Sequence, residues 1–122
     1  MGAQASSQPR SDHGEVISIQ SLEDWNTRLQ NSKTSNKLMV IDFWAEWCEP
    51  CKAIDPTIQE LADRFSDVDF IKIDVDKLPN VAKTYEVKAM PTFVLLKKGK
   101  ERDRIVGVKK DELQRMIEKY GS

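Results

Sequence analysis

The 122-residue chain is poor in cysteine and histidine, with Cys48, Cys51 and His13 as its complete set, and it has no surplus of either charge: 19 Lys and Arg stand against 20 Asp and Glu, a formal net charge of -1. Each shortage excludes a class of protein. Without a basic excess there is little counterion release to drive binding to phosphate, so no nucleic-acid partner is expected. With hydrophobic residues at 39% and so small a net charge, the chain does not resemble a disordered acidic segment. Its longest apolar stretches, around residues 38–44 and 91–96, fall far short of the roughly 20 residues of a membrane-spanning helix. The polar N-terminus lacks the apolar middle of a secretory signal, so a soluble protein in a reducing intracellular compartment is expected. The length suits a single hydrophobic core.

Residues 1–14 are rich in Ala, Gln, Ser, Gly and Pro and show no hydrophobic periodicity. They predict a flexible N-terminal tail ahead of one domain over residues 15–122. A short strand is expected at residues 16–19, followed by a helix that opens on Ser21 and Asp24 and carries Leu22, Trp25 and Leu29 on one face. Residues 38–44 are almost continuously apolar, as in a strand covered on both sides, and only Asp42 interrupts them. A second helix should begin near Cys48 with Pro50 in its first turn, Ile54, Ile58, Leu61, Ala62 and Phe65 along its inner face, and a kink at Pro56. A strand over residues 68–75 precedes a short helix after Leu78-Pro79 that turns Val81, Ala82 and Tyr85 inward. Strands over residues 91–97 and 102–108 flank Lys98-Gly99-Lys100, a hairpin turn that makes this pair antiparallel. Leu113, Met116, Ile117 and Tyr120 form the stripe of a final helix. The order βαβαβαββα predicts an α/β fold, a central mixed β-sheet flanked by helices.

The chemistry concentrates in Trp47-Cys48-Glu49-Pro50-Cys51-Lys52, where a strand ends and a helix begins. Unpaired N–H groups and the positive end of the helix dipole favour an anion there, which makes Cys48 the candidate attacking thiolate. Cys51, one turn later, is placed to resolve the mixed disulfide that Cys48 forms. A staple is a poor reason for the pair, because a disulfide closing so short a loop contributes roughly 2 kcal/mol at best. Three other readings stay open at lower weight. A zinc site within the chain needs two further ligands, and only His13 is on offer; an ion or cluster shared between two chains needs a dimer; and both cysteines could serve packing alone.

The segments Asp42-Phe43-Trp44-Ala45-Glu46-Trp47-Cys48-Glu49-Pro50-Cys51-Lys52 and Ala89-Met90-Pro91-Thr92-Phe93 closely resemble the thioredoxin family. The resemblance runs from about Glu15 to Tyr120. Within the family, Lys72-Ile73-Asp74-Val75-Asp76 and the stretch from Val106 to Leu113 are most similar to the plant h-type, the cytosolic branch. It implies the thioredoxin fold and the reduction of disulfides in target proteins, with electrons supplied from NADPH by a separate flavoprotein reductase and no cofactor bound to this chain. It also implies a cytoplasmic monomer, with disulfide-containing proteins and the reductase as partners. Asp42 matches the family's buried carboxylate, the proton acceptor that assists Cys51, and burial among apolar neighbours should raise its pKa. Lys72 matches a position whose ammonium lies near that carboxylate and tunes it; a solvated lysine at a strand end is the competing reading. Met90-Pro91 matches a cis-proline turn opposite the cysteines, where an extended substrate can pair. Trp47, Glu49, Pro50 and Gly107 complete the implied substrate-binding rim, while Trp25, Phe43 and Trp44 are expected in the core. A redox-sensing binding module or chaperone, or a disulfide isomerase or oxidase, is the alternative use of the same groove.

Two features depart from the common pattern. Glu49 stands where most members have glycine; its carboxylate opposes a second negative charge at Cys48, so the thiol pKa should be higher and the couple more reducing than in a glycine form. It could also select among partners. Met1-Gly2-Ala3-Gln4-Ala5-Ser6 fits the N-myristoylation pattern with Gly2 as acceptor, a chance match in a flexible leader being the competing reading. One acyl chain binds membranes only marginally, so any membrane-peripheral fraction would be reversible.

Overall fold

The computed structural model describes residues 14–121. The flexible tail expected over residues 1–14 therefore falls almost wholly outside the described residues, as do Gly2 and His13. Among the described residues nine elements follow in the expected order: β1 (Val16–Ser18), α1 (Leu22–Ser32), β2 (Leu38–Trp44), α2 (Glu49–Arg64), β3 (Asp69–Asp74), α3 (Pro79–Thr84), β4 (Thr92–Lys97), β5 (Lys100–Val106) and α4 (Lys110–Tyr120). The strands form one sheet in the order β1-β3-β2-β4-β5. β1 and β2 both run parallel to β3, while β2 with β4 and β4 with β5 are antiparallel, so the sheet is mixed.

Alternation along the strands sends side chains to two separate apolar layers. Leu38 and Val40 of β2, Phe70 of β3 and Phe93 and Leu95 of β4 pack with Ile54, Ile58 and Leu61 of α2 and Leu113 and Ile117 of α4. On the opposite face Met39, Ile41 and Phe43, with Ile71, Ile73, Val94 and Leu96, meet Trp25 of α1 and Val81 and Ala82 of α3. β2 is thus covered on both sides, which explains its nearly unbroken apolar run. Asp42 belongs by alternation with Leu38 and Val40, on the face turned toward α2 and α4.

Local chemistry sets the boundaries. Ser21 caps α1 in extended backbone, its hydroxyl accepting the Asp24 N–H at 3.0 Å. Pro50 sits in the first turn of α2, and the helix continues through Pro56, which leaves the Lys52 carbonyl without the N–H that would otherwise close that turn. The β4–β5 turn consists of only Lys98 and Gly99, both at positive φ (55° and 78°), so pairing resumes at Lys100. β5 consequently starts two residues earlier than its hydrophobic pattern suggests, and it ends before Gly107, whose φ of 95° turns the chain away. Leu22 also departs from expectation: it is exposed while Trp25 is buried. As the first residue of α1 its side chain leans past the helix start, beyond the turn that would cover it. Among the described residues no helix is long and apolar enough to cross a membrane.

Candidate functional site

β2 delivers the chain to the start of α2, and the polar groups of interest gather at that junction. Cys48 is the N-cap residue of α2, with extended backbone, and its Sγ accepts the N–H of Cys51 at 3.2 Å. A sulfur here faces the unpaired donors of the helix start, which favour its anionic form. Cys48 and Cys51 are joined in a disulfide across this turn, with Cα atoms 5.3 Å apart. Cys51 is the first inward position of the stripe that continues through Ile54 and Ile58. Both cysteines are buried, at 4% and 2% exposure, against Ala45, Trp44, Val75 and Met90.

The loop opposite is held by several specific contacts. The Met90-Pro91 peptide is cis. Thr92 is buried and its hydroxyl donates to the Ala89 carbonyl at 2.5 Å, while Gly107 N–H donates to the Pro91 carbonyl at 2.8 Å. Together these fix the loop so that the Met90 carbonyl oxygen lies 3.6 Å from Cys48 Sγ. An added Cβ on Gly107 would meet nothing within 4 Å, so glycine serves the left-handed backbone there rather than a tight approach within the chain.

Trp47 is 65% exposed beside the disulfide, and its indole Nε1–H donates to Asp76 Oδ2 at 3.0 Å. Asp76 is held in turn, since its backbone N–H donates to Oδ1 of the buried Asp74 at 2.9 Å. Glu49 is the first helical residue and strongly exposed, as is Pro50. The Glu49 carboxylate lies 3.6 Å from the Lys52 ammonium one turn on, which offsets part of the charge it presents to Cys48. Exposed Val106 and Val108 flank Gly107, so an apolar surface extends across this end of the molecule.

Beneath the cysteine turn Asp42 is 2% exposed, and neither carboxylate oxygen takes a hydrogen bond from any described protein group. Burial, the dominant cause, pushes its pKa up to about 7; the Lys72 ammonium pulls downward and the Asp55 carboxylate adds a smaller push upward. Lys72 is the β3 partner of Asp42 across the sheet. Its ammonium nevertheless donates to both oxygens of Asp55, at 3.1 and 3.2 Å, and lies 4.3 Å from the ring centroid of Trp44. Lys72 is therefore not a solvated strand end, nor is it hydrogen-bonded to Asp42. Trp44, expected in the core, is only partly buried, because its ring borders the cysteine cluster and carries this cation. Asp55 and Asp76 were not identifiable as site residues from sequence; the one available signal was that Asp55 stands four residues after Cys51, on the same face of α2.

Among the described residues no group of three or more histidine, cysteine or acidic side chains could hold a metal ion. A disulfide at a helix start, with the Cys51 N–H and the Met90 carbonyl oxygen beside the Cys48 sulfur, supports two-electron thiol chemistry.

Comparison with known proteins agrees with this geometry. The family model described as Thioredoxin matches residues 16–119. Thioredoxin H2 of Arabidopsis thaliana is 52% identical over 109 residues, 89% of this chain and 82% of that protein. A thioredoxin H-type from Fagopyrum esculentum is 50% identical over 106 residues, 87% of this chain and 91% of its own. Among solved structures, a thioredoxin from Nicotiana alata superposes with a TM-score of 0.88 at 48% identity, covering 98% of this chain and 100% of that one. With the family model matching from the first residue of β1 into the last turn of α4 and the relatives half identical over most of their length, the chain belongs to the thioredoxin family and is a dithiol–disulfide oxidoreductase.

Proposed function

We propose that this oxidoreductase works as a protein-disulfide reductase in which Cys48 attacks and Cys51 resolves. The observation that carries the reading is the position of Cys48 Sγ, at the N-cap of α2 with an N–H donor at 3.2 Å and the Met90 carbonyl oxygen at 3.6 Å. In the reduced protein the Cys48 thiolate attacks one sulfur of a target disulfide; a mixed disulfide forms and the other target sulfur leaves as a thiolate. Asp42 takes the proton of the Cys51 thiol, and Cys51 attacks the Cys48 sulfur. The Cys48–Cys51 bond forms, the mixed disulfide breaks and the second target thiolate is released, so two electrons pass to the target. An acceptor with a pKa near 7 suits proton transfer from a thiol at neutral pH. The target segment lies extended along Met90, Pro91 and Gly107, with Trp47, Pro50, Val106 and Val108 as apolar rim. Glu49 adds a negative charge that disfavours acidic target surfaces.

The disulfide is returned to the dithiol by a separate flavoprotein reductase drawing on NADPH, and this chain itself binds no cofactor. The protein acts as a monomer in the cytoplasm, and acylation at Gly2 would add a reversible membrane-peripheral fraction. Reduction of insulin disulfides by dithiothreitol tests the activity. The parent protein should accelerate it, Cys48→Ser should abolish the acceleration, and Cys51→Ser should accumulate covalent mixed disulfides that name the targets. Unchanged turnover by Cys48→Ser would overturn the assignment. Mass spectrometry of the N-terminal peptide from native cells tests the lipid, with unmodified Gly2 as the result against it.

A further inference from the structure

The polar groups under the cysteine turn form a set in which one cation has two carboxylates to choose from. Asp42 and Trp44 stand on the same face of β2, Lys72 is opposite Asp42 on β3, and α2 brings Cys51 and, one turn later, Asp55 to the same edge. Asp42 is buried with both oxygens unbonded to described protein groups, a strong attractor for an ammonium on the neighbouring strand. Yet Lys72 bonds both oxygens of Asp55, and its ammonium lies over the Trp44 ring. The Lys72 side chain is only 15% exposed whereas that of Asp55 is 43% exposed, so the pair keeps one partner in contact with solvent and avoids the full desolvation of a buried ion pair.

We infer that Asp55 is a positioning residue for the proton acceptor: by holding the Lys72 ammonium against itself and the Trp44 ring, it withholds that cation from Asp42. The inference rests on the reading of Asp42 as the group that takes the Cys51 proton. A lysine in direct contact would hold Asp42 as a carboxylate well below neutral pH and weaken it as a base. Kept at one remove, the same charge only moderates the effect of burial. The charged groups that act on Asp42 are Lys72 from β3 and Asp55 from α2. α2 also contributes the Cys51 thiol of the reduced state. The β4 partner is Phe93, and α4 turns Leu113 and Ile117 to this side.

The test is titration of the Asp42 carboxyl carbon by NMR in the full-length disulfide form, for the parent, Asp55→Asn, Asp55→Glu, Lys72→Met and the double variant Asp55→Asn with Lys72→Met. Asp55→Asn should lower the Asp42 midpoint by roughly 0.5–1 pH unit as Lys72 swings inward, Asp55→Glu should restore it, and Lys72→Met should raise it. In the Lys72→Met background the Asp55→Asn shift should shrink to less than half. An undiminished shift in that background means that Asp55 acts through its own charge alone and overturns the inference, as does an Asp42 midpoint unmoved by Asp55→Asn. The pH dependence of the resolving step, followed by rapid mixing with a target disulfide, should shift downward in parallel in Asp55→Asn. If Asp42→Asn leaves that pH profile untouched, the proton-acceptor reading fails, while the carboxyl titrations still decide where Asp55 keeps Lys72.

Discussion

Asp42 concentrates the conflict between stability and function in one side chain. Its pKa in the folded protein, about 7, is raised mainly by burial from the ordinary 3.8. Between those values the folded state holds a proton that the unfolded chain has released, so stability falls as pH rises through this window. The protonated carboxyl is tolerated below pH 4, and above about pH 7 the fold carries a charge in an apolar layer. Asp42→Asn, neutral at every pH, should therefore be more stable than the parent by about 2–4 kcal/mol at pH 8 and nearly equal to it at pH 4, as measured by denaturant unfolding of the disulfide form. A difference that did not change with pH would assign the effect to packing instead. Glu49 is the opposite case, exposed and 3.6 Å from Lys52. Glu49→Gly should lower the Cys48 thiol pKa and move the disulfide potential upward, but only slightly, because solvent and Lys52 already screen the carboxylate. Alkylation rate against pH checks the first and equilibration with glutathione the second. The sign of both effects was legible in sequence, whereas their size depends on a neighbour and an exposure that only the folded chain displays.

Among the elements, α2 does most to build the site, and most of its design is written locally. Its N-cap sulfur, Pro50 in the first turn and the stripe from Cys51 through Ile54, Ile58 and Leu61 all follow from spacing along a helix. The same holds for α1, whose cap is a single hydroxyl contact. Ser21→Ala removes the acceptor of the Asp24 N–H and should cost about 1 kcal/mol of unfolding free energy while leaving insulin reduction unchanged, since α1 packs on the face of the sheet opposite α2. Boundaries were less legible where backbone conformation decided them. The two positive-φ residues Lys98 and Gly99 close the hairpin more tightly than the apolar pattern of β5 implied, and Leu22 continued a helical stripe that the end of α1 leaves uncovered.

For the whole molecule, the sheet separates two apolar layers and presents the redox turn at one end of it. Phe93 is fully buried in the layer under α2 and α4 and stands opposite Asp42 in the β2–β4 register. Phe93→Ala should cost about 3–5 kcal/mol, read from the denaturation midpoint, because the packed layer can collapse only partly around the lost ring. The element order, the layered α/β architecture and the redox pair were readable from sequence because each depends on residues close together in the chain: apolar periods within an element, and two cysteines one helical turn apart at a strand-to-helix junction. Asp42 was marked by being the lone charge in an apolar run. The partnerships were not readable. Lys72 bonds Asp55 across 17 positions and Trp47 bonds Asp76 across 29, and in each case several acidic side chains would satisfy the sequence equally well. Which one is used depends on the few ångströms over which a hydrogen bond forms, a distance set only when helix α2, the sheet and the loop after β3 have packed together.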